Sequence, residues 1–133
     1  MNLVLIVLSA LAVAFIGRSL WLARPTIAPT AARDAVKAGT AMLVDVRESG
    51  EWSSGVAKSA ALLALSDLRG PRTKWEPFLK AHRDKQLILY CLSGTRSGMA
   101  ASLLRKQGYK AVNLGGLSRW TSAGLPLGKP FKG

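Results

Sequence analysis

The sequence predicts an α/β fold: a parallel sheet flanked by helices, preceded by one N-terminal transmembrane helix. Three observations predict it. From residue 30 onward, short apolar runs alternate with helix-forming stretches, the pattern of a parallel sheet covered on both faces. Leu3 to Leu22 is apolar but for Ser9, Ser19 and one charge, Arg18. The clearest strand, Gln86 to Tyr90, runs directly into a polar, glycine-containing loop that carries the only cysteine, Cys91.

Composition narrows the function classes. A chain of 133 residues holds one compact domain plus a short extra segment. One cysteine forms no intramolecular disulfide, and one cysteine with one histidine makes no zinc-finger ligand set. No metal and no cofactor are expected. Charge is lopsided, with 19 Lys+Arg against 7 Asp+Glu, a net +12.

Residues 1–23 read as a membrane anchor. A helix needs roughly 20 apolar residues to cross the hydrocarbon, and a charge near its end snorkels to the headgroups. Trp21 sits where an interfacial aromatic belongs. A cleaved signal is the rival, with Ala10-Leu11-Ala12 and Ala12-Val13-Ala14 as small-residue cleavage sites. No Lys or Arg precedes the apolar run, whereas Arg18, Arg24, Arg33 and Lys37 follow it. That asymmetry favours an uncleaved single-pass anchor with the following domain on the cytoplasmic side. Residues 24–29, with Pro25 and Pro29, read as a linker, and 30–133 as the globular domain.

Within the domain, Thr30 is placed to cap a helix running to Ala38, with Gly39 as its stop. Ala41 to Val46 suits a buried parallel strand. Glu48 to Ser54 is a turn or short helix, and Ala60 to Leu65 is a second short apolar run. Trp75 to Ala81 reads as a helix in which Pro77 is a weak point. Arg96 to Gln107 is a helix with Met99, Ala100, Leu103 and Leu104 on one face. Ala111 to Leu114 is the last strand, and Leu117 to Ala123 a short closing helix.

The chemistry concentrates at Cys91. In such folds ligands gather beyond the carboxyl ends of the strands. The loop Cys91-Leu92-Ser93-Gly94-Thr95-Arg96-Ser97 leads from the strongest strand into a helix. Gly94 permits a tight curl, which aims backbone N–H groups inward at a partly positive helix end. Arg96 adds a permanent cation, for which bracing the loop is favoured over direct contact with a donor. Together these favour thiolate, a persulfide sulfur or a bound oxyanion. An isolated cysteine is more often an inert core thiol, but a polar loop between strand and helix is a poor place for one.

Five stretches in order resemble the single-domain rhodanese-like family. Leu43 to Glu48 is similar to its opening "(L/I)-(I/V)-D-V-R-E" motif, and Glu51-Trp52 to its acidic–aromatic pair. Leu87 to Arg96 resembles the active-site strand and its "Y-C-x-x-G-x-R" loop. Gly108 to Val112 is similar to the turn into the last strand, and Asn113 to Trp120 with Ala123 to Pro126 to the "N-L-x-G-G…A-G-L-P" ending. One departure stands out. Where the family has "G-H-I-x-G-A", this chain has Gly55-Val56-Ala57-Lys58-Ser59-Ala60.

The resemblance implies a sulfurtransferase. Cys91 would take the sulfane sulfur of a small anionic donor such as thiosulfate, hold it as a persulfide, and pass it to cyanide or a thiol. Backbone N–H groups of Leu92, Ser93, Gly94, Thr95, Arg96 and Ser97 would bind the anionic sulfur. Asp45 and Arg47 are expected in a supporting role, as an ion pair or loop brace. His82 is expected to be a solvated helix-end residue, and Trp52, Trp75 and Trp120 packing residues.

Other functions fit less well. A non-enzymatic persulfide carrier would need the same thiolate. A cysteine phosphatase or arsenate reductase would use a similar cradle, but with five residues between cysteine and arginine where this chain has four. Nucleic acid is not an expected partner: the domain carries 17 basic and 7 acidic residues, but they are scattered, with no basic helix or aromatic ladder. Anionic lipid headgroups account for the charge more simply. A monomeric domain is expected.

Overall fold

The computed structural model describes residues 2–132. Strands β1 (Ala41–Asp45), β2 (Ala61–Leu62), β3 (Gln86–Cys91) and β4 (Ala111–Gly116) form one sheet in the order β2-β1-β3-β4, with every neighbouring pair parallel. Side chains on β3 alternate between the faces, as the pleat requires. Leu87, Leu89 and Cys91 enter one core with Val44, Trp75, Leu79 and Leu104. Ile88 and Tyr90 enter the other, with Leu43, Ala32, Leu114 and Trp120. Helices α3 (Leu65–Leu68), α4 (Trp75–Ala81) and α5 (Thr95–Lys106) cover the first face, and α2 (Pro29–Lys37) and α6 (Leu117–Ser122) the second. The sheet is thus enclosed on both sides, as the alternation predicts.

Helix α1 (Leu3–Ala23) is long and apolar enough to cross a membrane, and none of its residues is fully buried. Its last turns nevertheless meet the domain. Ser19, Leu22 and Ala23 are half-buried, and a Cβ at Gly98 would overlap the Leu22 carbonyl oxygen. The stretch after α1 is ordered too: Thr26 N–H donates to Asn113 O at 2.8 Å, and Asn113 N–H donates to Thr26 Oγ1 at 2.9 Å. The proline-containing linker is therefore docked along β4.

Several expectations are corrected in detail. Thr30 does not cap α2; Ala28 is the cap residue and Pro29 opens the helix, where a missing N–H costs nothing. The run Ala60–Leu65 divides into the two-residue β2 and the start of α3. Pro77 is harmless because it lies in the first turn of α4, whose N–H groups have no intrahelical partner. His82 sits at the end of α4 as expected but is only partly exposed, 4.6 Å from the Phe78 ring and 5.9 Å from that of Phe131. Trp75 and Trp120 are buried, and each donates its indole N–H to a backbone carbonyl, Ala64 O and Pro126 O respectively.

Candidate active site

Cys91 ends β3 on the face that α5 covers, and it is fully buried. The next residues turn the chain back over it. Gly94 has φ +95, and a Cβ there would come within 2.8 Å of Ala23 O and 3.1 Å of Gly115 Cα. Only glycine permits both that backbone and that approach. The turn brings Gly94 N–H to 3.0 Å from Cys91 Sγ, and α5 then carries the Ser97 hydroxyl to 3.4 Å. Burial pushes the thiol pKa up. The Ser97 hydroxyl and the N–H groups of Ser97, Gly94 and Ser93 pull it down more strongly, and the net direction is down. The fully buried thiol packs in the first core on one side and meets the Gly94 amide and the Ser97 hydroxyl on the other.

Ser97 has a second attachment. Its hydroxyl lies 2.7 Å from Asn113 Oδ1 and 3.2 Å from Gly94 O. The Asn113 amide nitrogen donates toward Gly94 O at 3.0 Å and toward the carbonyls of Leu22, Ala23 and Arg24 at 3.2–3.3 Å. Gly115 N–H donates to Asn113 Oδ1 at 3.0 Å. With four carbonyls around the nitrogen and an N–H at the oxygen, the amide has one orientation. The end of α1 and the hydroxyl beside Cys91 are therefore joined through one buried side chain.

Arg96 pairs with Glu51 while its guanidinium stays beside Cys91. Its Nη1 and Nη2 donate to the two carboxylate oxygens at 2.6 and 2.8 Å. Glu51 sits in a 3-10 turn (Ser49–Ser54), where a capping box with Glu48 orients it. The Arg96 hydrogen bonds hold the Glu51 carboxyl down at about 2. The same pairing, with the nearby Cys91, holds the guanidinium pKa up. The buried Trp52 indole N–H finds no acceptor among the described residues.

Asp45 and Arg47 form an ion pair buried at 0% and 2% exposure. Arg47 Nη2 donates to Asp45 Oδ2 at 2.8 Å and to Gly55 O at 2.6 Å, and Arg47 N–H donates to Asp45 Oδ1 at 2.9 Å. Asp45 lies opposite Tyr90 in the β1–β3 register, one residue from Cys91. Tyr90 Oη accepts from Ala57 N–H at 2.9 Å, and burial raises its pKa. These groups hold the Gly55–Ala60 turn, with Lys58 and Ser59 donating their N–H groups to Pro126 O and Lys129 O. Ser59, where the family pattern has its second glycine, keeps a glycine-like φ of +70.

Of the predicted loop residues, Ser93, Gly94 and Ser97 act on the sulfur. Leu92 points outward, 61% exposed, and Thr95 opens α5 beside α1. Arg96 also acts on the sulfur by charge while its head is held in the pair with Glu51. The sequence gives Asn113 and Glu51 only places in family motifs, with no contact assigned to either. Both matter through contacts 16 and 45 residues away, to Ser97 and Arg96.

A parallel sheet with an anion-stabilised cysteine at the carboxyl end of an interior strand defines a class of α/β domain built around one nucleophilic thiol. The model of the rhodanese-like domain matches residues 28–123, and the chain belongs to the rhodanese-like family. A sulfurtransferase of Allochromatium vinosum is 35% identical over 91 residues, which cover 67% of this chain and 79% of that protein. Two other curated bacterial relatives are longer, this chain spanning 60% and 56% of them. A rhodanese-related protein from Thermoplasma volcanium superposes with a TM-score of 0.65 at 27% identity, covering 79% of this chain and 98% of that one. A human single-domain sulfurtransferase superposes at 0.61 and 27% identity, covering 74% and 96%.

Proposed function

We propose that the protein is a membrane-anchored sulfurtransferase that works through a Cys91 persulfide. The observation that carries this is the Gly94 N–H at 3.0 Å from Cys91 Sγ, within a set of donors that favours thiolate. The thiolate attacks the outer sulfur of thiosulfate or a similar donor. The new S–S bond forms as the donor's S–S bond breaks, and sulfite leaves with the electron pair. The persulfide anion occupies the cradle. Cyanide or a thiol then attacks its terminal sulfur, and Cys91 leaves as thiolate, ready for another cycle. The net +12 draws small anionic donors toward the domain.

Cys91 has no exposed surface, and the donor approaches it past the exposed Leu92 side chain. Helix α1 holds the domain at the membrane, on the cytoplasmic side by the placement of basic residues after it.

The test is a persulfide trap on the purified full chain after exposure to thiosulfate, read as added mass on the Cys91 peptide. A single added sulfur on that peptide, with thiocyanate formed on adding cyanide, supports the reading. A stable persulfide without turnover identifies a carrier, and no added sulfur overturns both.

A further inference from the structure

We infer that the groove between α1, α3 and α5 is a binding site for an anionic phospholipid. It has a volume of about 390 Å³, within the range of ligand pockets. Phe15, Met99 and Leu103 give it apolar walls, and Arg18, Arg69 and Lys106 line it with three cations. Among the described residues, none of those three cations has an ion-pair or side-chain hydrogen-bond partner. The carboxylate nearest in sequence to Arg69 is occupied elsewhere: Asp67 accepts from the N–H groups of Thr73, Lys74 and Trp75. The groove therefore offers uncompensated positive charge above hydrocarbon.

One wall of the groove is α1, and this selects the ligand. Beyond Phe15 its surface continues as exposed Leu11 and Leu8. A free anion would use the cations and leave that surface empty. A phospholipid fills both, its phosphate among the cations and its acyl chains along α1.

The height of the groove agrees with this and rests on reading α1 as a membrane anchor. Leu3 to Gly17 spans about 22 Å at about 1.5 Å per residue, short of a hydrocarbon core of about 30 Å. From Ser19 onward α1 is held to the domain, through Gly98 packed on Leu22 and the Asn113 amide at the Leu22–Arg24 carbonyls. No slack separates helix from domain, so Arg18, Arg69 and Lys106 lie at headgroup level.

The experiment uses the full chain in nanodiscs of equal phosphatidylglycerol and phosphatidylcholine, with bound lipid read by native mass spectrometry. Phosphatidylglycerol is expected to be retained in preference. The double variant Arg69→Glu/Lys106→Glu, both exposed positions outside the cysteine cradle, should lose that preference by about tenfold or more, at roughly 1 kcal/mol per cation. The charge-matched double variant Lys80→Glu/Lys129→Glu should keep it. Equal retention of both lipids, equal loss in both double variants, or displacement of the lipid by inorganic phosphate would each overturn the site. Alkaline extraction separates the two failures. A chain that stays in the membrane pellet without lipid preference loses the groove and keeps the anchor, while a chain that washes off loses both.

Discussion

Arg96 and Glu51, 45 residues apart in sequence, meet in a two-pronged ion pair at 2.6 and 2.8 Å on the rim of the cysteine loop. The pairing ties the start of α5 to the 3-10 turn after β1, so the loop over Cys91 is fastened at its outer edge. On its inner edge the Asn113 amide fastens Gly94 and Ser97. The curl is thus held from two sides by contacts from distant segments, and the donors around the sulfur are fixed before any substrate arrives.

The ion pair carries a pH dependence. Glu51 is held at about 2, below the 4.5 of a free glutamate. Its contribution is therefore present above about 4.5 and is lost as pH falls through about 2. Both partners are about one-third exposed, which limits the contribution to about 1 kcal/mol or less. Glu51→Gln should melt a few degrees lower than the parent at pH 7, with the gap closing toward pH 2. A constant gap across that range would show that the charge is not involved.

Cys91→Ser should abolish sulfur transfer and keep the fold to within about 1 kcal/mol, since the hydroxyl also accepts from Gly94 N–H. Thiocyanate production and thermal melting read the two halves. Residual turnover in this variant would place the nucleophile elsewhere.

Ser97→Ala should raise the Cys91 pKa, because it removes the leading group that lowers it. Losing that hydroxyl removes part of the stabilisation of the charged sulfur, so a smaller fraction is thiolate at a given pH. The check is the alkylation rate against pH with a small reagent such as iodoacetamide. The profile should move to higher pH in the variant, and reagents too bulky to pass Leu92 should react slowly with both proteins.

Asp45→Asn leaves the Arg47 guanidinium buried and uncompensated, at a cost of about 3–5 kcal/mol. Asp45→Leu/Arg47→Met removes both charges and should recover much of that loss. Denaturant midpoints compare the three proteins. A double variant no more stable than Asp45→Asn would mean that Arg47's bonds to the backbone, not the paired charge, dominate.

Ser59→Gly should stabilise the domain. Ser59 at φ +70 bears a left-handed backbone cost of about 1–2 kcal/mol, of which glycine's looser unfolded chain returns roughly half. A rise of a few degrees in Tm is expected; a fall would show that the serine side chain has a role of its own in the turn.

The sequence by itself determined the alternation of strands and helices, the apolar helix before them, and the position of Cys91 between a buried strand and a glycine turn. These follow from local properties: apolar periodicity, the freedom of Gly94, and the family pattern from Leu43 to Pro126. The Ala28 cap of α2 and the division of Ala60–Leu65 between β2 and α3 are not legible there, because caps and short edge strands depend on a few backbone bonds that composition does not fix.

Tertiary structure alone decided the rest. Arg96 reaches Glu51 because the β1–β3 pairing brings the 3-10 turn beside the start of α5. Asn113 touches both Ser97 and the end of α1 because β4 lies against β3 and the Leu22–Thr26 segment lies against β4. Such contacts join residues far apart in the chain, and their partners are chosen by the packing of the sheet, which no local pattern records.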